Sequence, residues 1–233
     1  MIGRLQRLPR AMAKKSFFAV PSALVRNMSG FSSLSPVSFT EIVKKELIEG
    51  EPAERVKEIW EAYHTTSRSS VGLTLPAKDY AVVQERLKES PLFIWPLFKD
   101  EKKESHVILL SQLQTKFIVL TFLDEYKNNP ETAAPWLSLV LFDDMIGSKD
   151  LALVRSDFTP QMNKEEGEIV TKMILQAYHD DEAYNTYIRP FTQTPEKFDF
   201  AAYMKYFGDM HDIIVSTSGA EEGAESSESE KSI

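Results

Sequence analysis

The four histidines of this chain stand at positions 64, 106, 179 and 211. Two imidazoles four residues apart would share one helix face and could hold zinc, but no H-x-x-x-H pair occurs. His179-Asp180-Asp181-Glu182 is the most ligand-like run, an imidazole followed by three carboxylates. It comes directly after a predicted helix, where a solvated turn uses the same residues. Asp143-Asp144, ahead of Gly147, offers the oxygen ligands that Mg²⁺ prefers and equally the residues of a strand-ending turn. Glu125 beside Tyr126 has the makings of an acid–base pair in a cleft, or of a surface pair at a strand exit. His64-Thr65-Thr66-Ser67 brings polar groups to a helix end, where a histidine also complements the helix dipole. Cysteine is absent, which excludes disulfides, thiol catalysis and Cys-ligated zinc. G-x-S-x-G, the P-loop and G-x-G-x-x-G are all missing, and the nine glycines are scattered. These residues make no catalytic constellation.

The ends of the chain are more informative. Residues 1–40 contain no Asp or Glu, and Glu41, Glu46, Glu49, Glu51 and Glu54 then follow in quick succession. Within the acid-free part, Arg4, Arg7, Arg10, Lys14, Lys15 and Arg26 are interspersed with Leu5, Leu8, Met12, Phe17, Phe18, Val20, Leu24 and Val25. A Ser-rich stretch from Ser29 to Ser38 comes next. This is the composition of a mitochondrial or plastid transit peptide, of which we take the mitochondrial, with a disordered basic arm as the plainer alternative. Cations drift toward the negative side of an energised membrane and carboxylates would oppose them. The apolar residues are too dispersed for a secretory signal and fall short of the roughly 20 needed to span a bilayer. A cut after Met28 would leave Arg26 just upstream, as matrix processing favours. The expected organisation is a transit peptide over 1–28, a linker over 29–37, one domain over 38–210 and a disordered acidic Ser/Glu-rich tail over 216–233. That tail has no aromatic residue and little to bury.

Removing the presequence sharpens the charge. Six of the 27 basic residues lie in 1–28, which leaves 21 against 35 acidic residues, a net of −14. Phosphate binding needs clustered cations, so nucleic acid is disfavoured as a partner, and stable membrane insertion is not expected. The body between presequence and tail suits one domain with a proper core.

Ser38-Phe39-Thr40-Glu41 is a capping-box pattern that predicts a helix through Ile48, stopping at Gly50. Pro52 opens a second helix, with Val56, Ile59, Trp60 and Tyr63 on one stripe. A third starts at Pro76, carries Tyr80, Val83 and Leu87, and ends by Pro91. Apolar runs at Val71–Leu75, Leu92–Phe98, His106–Leu113, Phe117–Leu123, Trp136–Phe142 and Leu151–Phe158 read as strands. Pro96 lacks a ladder N–H and places its run at a sheet edge or strand end. The connections are mostly too short for crossover helices, so the pairing is antiparallel. A second capping box, Asn163 to Glu166, opens a helix to about Tyr178, and a short helix is expected near Phe200–Phe207. The fold class is therefore α+β: a largely antiparallel sheet of about five to six strands flanked by N-terminal and C-terminal helices.

An ordered series of segments adds to this. Ile59-Trp60-Glu61-Ala62-Tyr63-His64 is followed by Leu75-Pro76-Ala77 with Tyr80, then Ser90-Pro91-Leu92-Phe93-Ile94-Trp95-Pro96-Leu97. Gln112, Thr121-Phe122-Leu123-Asp124-Glu125-Tyr126-Lys127 and Pro135-Trp136-Leu137 come next, and Leu151-Ala152-Leu153-Val154-Arg155-Ser156-Asp157 and Gln176-Ala177-Tyr178 close the series. In this order the chain resembles the mitochondrial ATP synthase F(1) complex assembly factor 1 family from about Thr40 to Phe207. It departs from the family at Lys99–Glu104, which replaces an aromatic-Gly pair. The resemblance implies a matrix chaperone, not an enzyme, with no cofactor and no metal. Its partner would be the unassembled F(1)-ATPase beta subunit, held from aggregating until alpha subunit takes over, and the mitochondrial import machinery would engage the presequence. Phe93, Trp95, Pro96, Gln112, Glu125, Tyr126 and Trp136 are the expected partner-binding residues, although Phe93, Trp95 and Trp136, large aromatics on apolar runs, read more simply as core. The alternatives are a matrix enzyme with an unrecognised polar site and a permanent accessory subunit.

Overall fold

A computed structural model describes residues 37–229 apart from 101 and 116; the expected transit peptide over 1–28 lies outside the described residues. The chain enters through two single turns of helix, α1 (Phe39–Ile42) and α2 (Lys45–Ile48). Glu41 reaches back to accept the Ser38 N–H at 2.8 Å, the return half of the predicted capping box. The one helix expected here is broken at Val43, which is extended. Phe39 and Ile48 are both buried in one apolar cluster. Nine residues apart, they would lie on opposite faces of a continuous helix at 3.6 residues per turn, so the break is what lets both point inward.

Next come α3 (Ala53–Thr65), β1 (Ser70–Pro76), α4 (Ala77–Glu89), β2 (Leu92–Phe98), β3 (His106–Leu113) and β4 (Phe117–Phe122). They are followed by α5 (Leu123–Asn128), β5 (Pro135–Phe142), α6 (Ile146–Lys149), β6 (Leu151–Phe158) and α7 (Lys164–His179). The C-terminal part holds α8 (Asp181–Ala183), a π-turn (Tyr184–Ile188), α9 (Arg189–Gln193), a 3₁₀ turn (Pro195–Lys197) and α10 (Phe200–Ser229). The six strands form one antiparallel sheet in the order β1-β6-β5-β4-β3-β2. Pro96 sits in β2, an edge strand, as its missing N–H requires.

Residues directly opposite across a ladder share a face, so the register sorts the sheet. Phe93, Ser111, Leu120, Leu137 and Phe158 form one row across β2 to β6. All five are buried in the face that packs on α7 and α10. The opposite face carries the row Leu92, Gln112, Val119, Ser138, Asp157 and Ser70. There α3 covers the β1 side, burying Val56 and Trp60 with Val140, Phe142, Leu151 and Leu153, and α5 packs on β3 and β4.

Cations tie helix C-termini to the body. Lys149 Nζ donates to the carbonyls of Glu49 and Glu51 beyond α2, and Lys164 Nζ to those of His64 and Thr65 closing α3. Arg86 does the same for Tyr178 and His179 at the end of α7. Each satisfies carbonyls with no intrahelical partner and opposes the helix dipole. The N-terminus of α7 is closed by the predicted capping box: Asn163 Oδ1 accepts from the Glu166 N–H at 2.8 Å, and the Glu166 carboxylate from the Asn163 N–H at 2.9 Å. At the other end of the chain, α10 runs well past the expected Phe200–Phe207. Tyr203, Phe207, Met210 and Ile214, spaced at i, i+4, i+7 and i+11, are all buried. They give this helix a core-facing stripe, and the helix itself continues into 216–229.

Candidate partner-binding surface

The structure separates the seven residues expected to meet a partner. Phe93 and Trp95 lie on the helix-covered face with no exposure, and Pro96 is buried as well. They are core residues, a correction with a plain cause: α9 and α10 pack over the edge strand that Pro96 marks. Trp95 donates Nε1–H to Ser111 Oγ at 2.8 Å, and Ser111 Oγ donates in turn to the Phe93 carbonyl. Gln112 is half-buried on the opposite face. Glu125 is exposed on α5, with Tyr126 half-buried beside it. Trp136, also half-buried, stacks at 5.5 Å on Phe122 and lies under Lys99 Nζ at 6.0 Å. Gln112, Glu125, Tyr126 and Trp136 thus remain as residues with surface to offer.

The runs that resembled chemical sites have structural duties. His179 faces Asp79 at 3.3 Å, Asp180 caps α8 by accepting the Ala183 N–H at 2.7 Å, and Asp181 pairs with Arg86. The Asp143 carbonyl accepts from the Ile146 N–H, the bond of a turn leading into α6. Among the described residues no group of three or more His, Asp or Glu is placed to hold a metal ion. An open groove runs between Val37–Thr40 and Val140–Asp144. No helix among the described residues is long and apolar enough to cross a membrane.

His64 has the most unusual surroundings. It is 2% exposed, and its Nδ1 lies 2.8 Å from the Trp60 carbonyl. A carbonyl only accepts, so Nδ1 carries the proton, and Nε2 is buried without a hydrogen-bond partner. Burial pushes this imidazole below its ordinary range, against the raising effect of the Trp60 carbonyl. A neutral, packed histidine is a wedge between α3 and β1, where Gly72 makes room for the ring.

A second surface lies on the helical side and was not expected from the sequence. Tyr187 in the π-turn and Tyr206 on α10 lie with ring centroids 4.8 Å apart and planes tilted by 37°, both half-buried. Phe207, fully buried, backs both rings at 5.9 and 5.5 Å. Burial, then Asp180 and Glu182, push the Tyr206 hydroxyl up to about 12. Tyr187 is raised by burial and by Glu182 and Asp199, with Lys205 opposing. The Tyr203, Tyr206, Phe207 spacing was the available signal, but only the π-turn brings Tyr187 alongside.

The description of the family "ATP11 protein" matches residues 22–204. "Protein atp11, mitochondrial" of Schizosaccharomyces pombe is 24% identical over 184 residues, covering 77% of this chain and 63% of that protein. "ATP synthase mitochondrial F1 complex assembly factor 1" of Homo sapiens is 22% identical over 187 residues, covering 79% of this chain and 54% of that protein. The match to each relative therefore leaves more than a third of that relative's length uncovered. The family match takes in β1 to β6 and α7, the whole sheet and the helix packed on it, and by it the chain belongs to the ATP11 protein family.

Proposed function

We propose that this chain is a mitochondrial matrix chaperone that binds unassembled F(1)-ATPase beta subunit, prevents its aggregation and promotes assembly of the F(1) complex. The observation that carries the reading is the family match over 22–204, together with the printed name of the human relative, an F1 complex assembly factor. The acid-free, Arg-bearing N-terminus supports import. The chaperone body is 38–210, and it acts by contact, without catalysis or cofactor. An unpartnered subunit exposes an apolar surface that its neighbour normally covers, and such surfaces aggregate. A holdase must cover that surface reversibly, with half-buried apolar and polar groups in place of a dry, permanent interface. The half-open sheet face around Leu92, Gln112 and Val119, flanked by α5 with Glu125 and Tyr126, has that mixture.

The test is light scattering from beta subunit diluted out of denaturant, with alpha subunit as the control client. An equimolar amount of the full chain is expected to suppress scattering from beta and leave that from alpha unchanged. Unchanged scattering from beta, with the chain folded by circular dichroism, would refute the reading.

A further inference from the structure

His64 is where α3 grips the sheet, and its surroundings admit one protonation state. The ring sits so close over Gly72 that a Cβ there would lie 2.3 Å from Nδ1. Nδ1–H donates to the Trp60 carbonyl at 2.8 Å, and Nε2 is buried with no hydrogen-bond partner among the described residues. An imidazolium carries two N–H donors. The second would point into packed protein with no acceptor, and a buried donor left unpaired is costly.

The charges around the ring add to that cost. Arg155 on β6 is the direct ladder partner of Gly72, and its guanidinium is paired with Asp157 through bonds of 2.7 and 2.6 Å. Lys164 Nζ, from α7, donates to the His64 carbonyl itself at 2.9 Å. On α3, Tyr63 meets the ring edge-on at 4.9 Å. Two cations therefore stand near the ring against one carboxylate, Asp157, which is already committed to Arg155. Burial is the first obstacle to a charged ring; the Trp60 carbonyl and Asp157 favour it, and Arg155 and Lys164 oppose it.

What the ring holds down is separable from the rest. Val56 and Trp60 of α3 pack with Val140, Phe142, Leu151 and Leu153 in an apolar cluster distinct from the main core. Trp60 Nε1–H also donates to the Val154 carbonyl at 3.0 Å, tying the helix to β6. A small cluster of this kind can open while the main core stays closed.

From this packing we propose that His64 is a pH-sensitive latch: neutral, it holds α3 on β1, and protonated it leaves the Gly72 notch, so that α3 lifts and opens the apolar cluster beneath it to solvent. A released histidine titrates at about 6.5, and the packed ring titrates lower. Between those two values the open form carries a proton from solvent that the closed form does not. Opening is therefore held down above about pH 6.5 and rises by up to about tenfold per pH unit below it, until the closed form titrates as well. The latch does not depend on what the chain binds.

The experiment is hydrogen exchange of indole N–H groups in the full chain, followed by NMR from pH 7.5 to 5.5 and expressed as protection factors. Trp60 reports the release of α3, and Trp95, bonded to Ser111 at 2.8 Å in the main core, reports global unfolding. Trp60 is expected to be at least about tenfold less protected than Trp95 throughout. Its protection should be level above pH 6.5 and fall by up to about tenfold per pH unit below. His64→Asn keeps an N–H for the Trp60 carbonyl and cannot titrate, so the fall should vanish. Replacing His106, His179 and His211 together by Asn leaves His64 as the sole histidine, and the fall should remain; this second variant decides the matter if His64→Asn does not fold. Equal protection of Trp60 and Trp95 would mean global unfolding and overturn the latch. So would level protection in the parent, a fall that survives His64→Asn, or one that disappears when only His64 remains.

Discussion

Trp95→Ala lowers the unfolding free energy by about 4 kcal/mol and the melting temperature by about 10 °C for a domain of this size. The side chain is fully buried, and its ring is edge-on to Phe93 at 5.0 Å and to Phe207 at 5.7 Å. Truncation removes the contacts of the largest fully buried side chain and leaves a cavity that α10 and the sheet, each pinned by other contacts, cannot close. Trp95→Phe keeps most of that volume and loses mainly the bond to Ser111, so its cost is nearer 1 kcal/mol. Ser111 stays partnered by the Phe93 carbonyl. Thermal and urea unfolding measure both. A Trp95→Ala protein as stable as the parent would place Trp95 at the surface, where a partner-binding role would have it.

Gly72→Ala is the second large effect. A Cβ there would lie 2.3 Å from His64 Nδ1 and 2.5 Å from His64 Cγ. The imidazole has little room to retreat: the Trp60 ring packs at a tilt against it at 4.3 Å, the Tyr63 ring meets it edge-on at 4.9 Å, and its Nδ1 is tied to the Trp60 carbonyl. Relief must come from lifting α3 off β1, which costs about 2–3 kcal/mol. The same change at Gly50, whose Cβ would meet nothing within 4 Å, is expected to be neutral to within about 0.5 kcal/mol. Removing the ring in the same protein, with His64→Ala, should recover part of the Gly72→Ala loss, since the two residues share one contact. Strictly additive losses would show that the two side chains do not meet.

The sheet was legible because each strand is a short apolar run bounded by turn residues, and because the intervals leave no room for crossover helices. Leu92–Phe98, His106–Leu113 and Leu151–Phe158 coincide with β2, β3 and β6 to the residue. Pro96 announced an edge by chemistry alone. The cover over that edge was not legible, since α9 and α10 reach β2 from a hundred residues further along the chain. Phe93 and Trp95 were therefore open to both readings, partner contact and the simpler one of core, and core is where they lie. The break between α1 and α2 escaped for a related reason. A capping box predicts where a helix starts, but only the shared burial of Phe39 and Ile48 dictates where it must break. The tail carried opposite signals. Its Ser, Gly, Ala and Glu content argues for disorder over 216–233, yet α10 runs on to Ser229, and Ala and Glu are good helix formers.

For the candidate site the sequence supplied residues but not neighbours. Gln112 and Tyr126 were named without any means of placing them against β3, β4 and α5. Tyr187 was passed over because the π-turn that aligns it with Tyr206 leaves no trace in an α-helical periodicity. Electrostatics was legible only as a net charge, −8 for the whole chain and −14 without residues 1–28.

The central claim is that this chain holds the beta subunit and yields it to alpha. Sedimentation tests it most directly. The full chain is mixed with F(1) beta subunit as the latter leaves denaturant, the mixture is sedimented, and alpha subunit is then added. The account predicts an equimolar complex with beta, none with alpha alone, and release of the chain when alpha joins beta. Independent sedimentation of chain and beta, or equal binding to alpha, would contradict it.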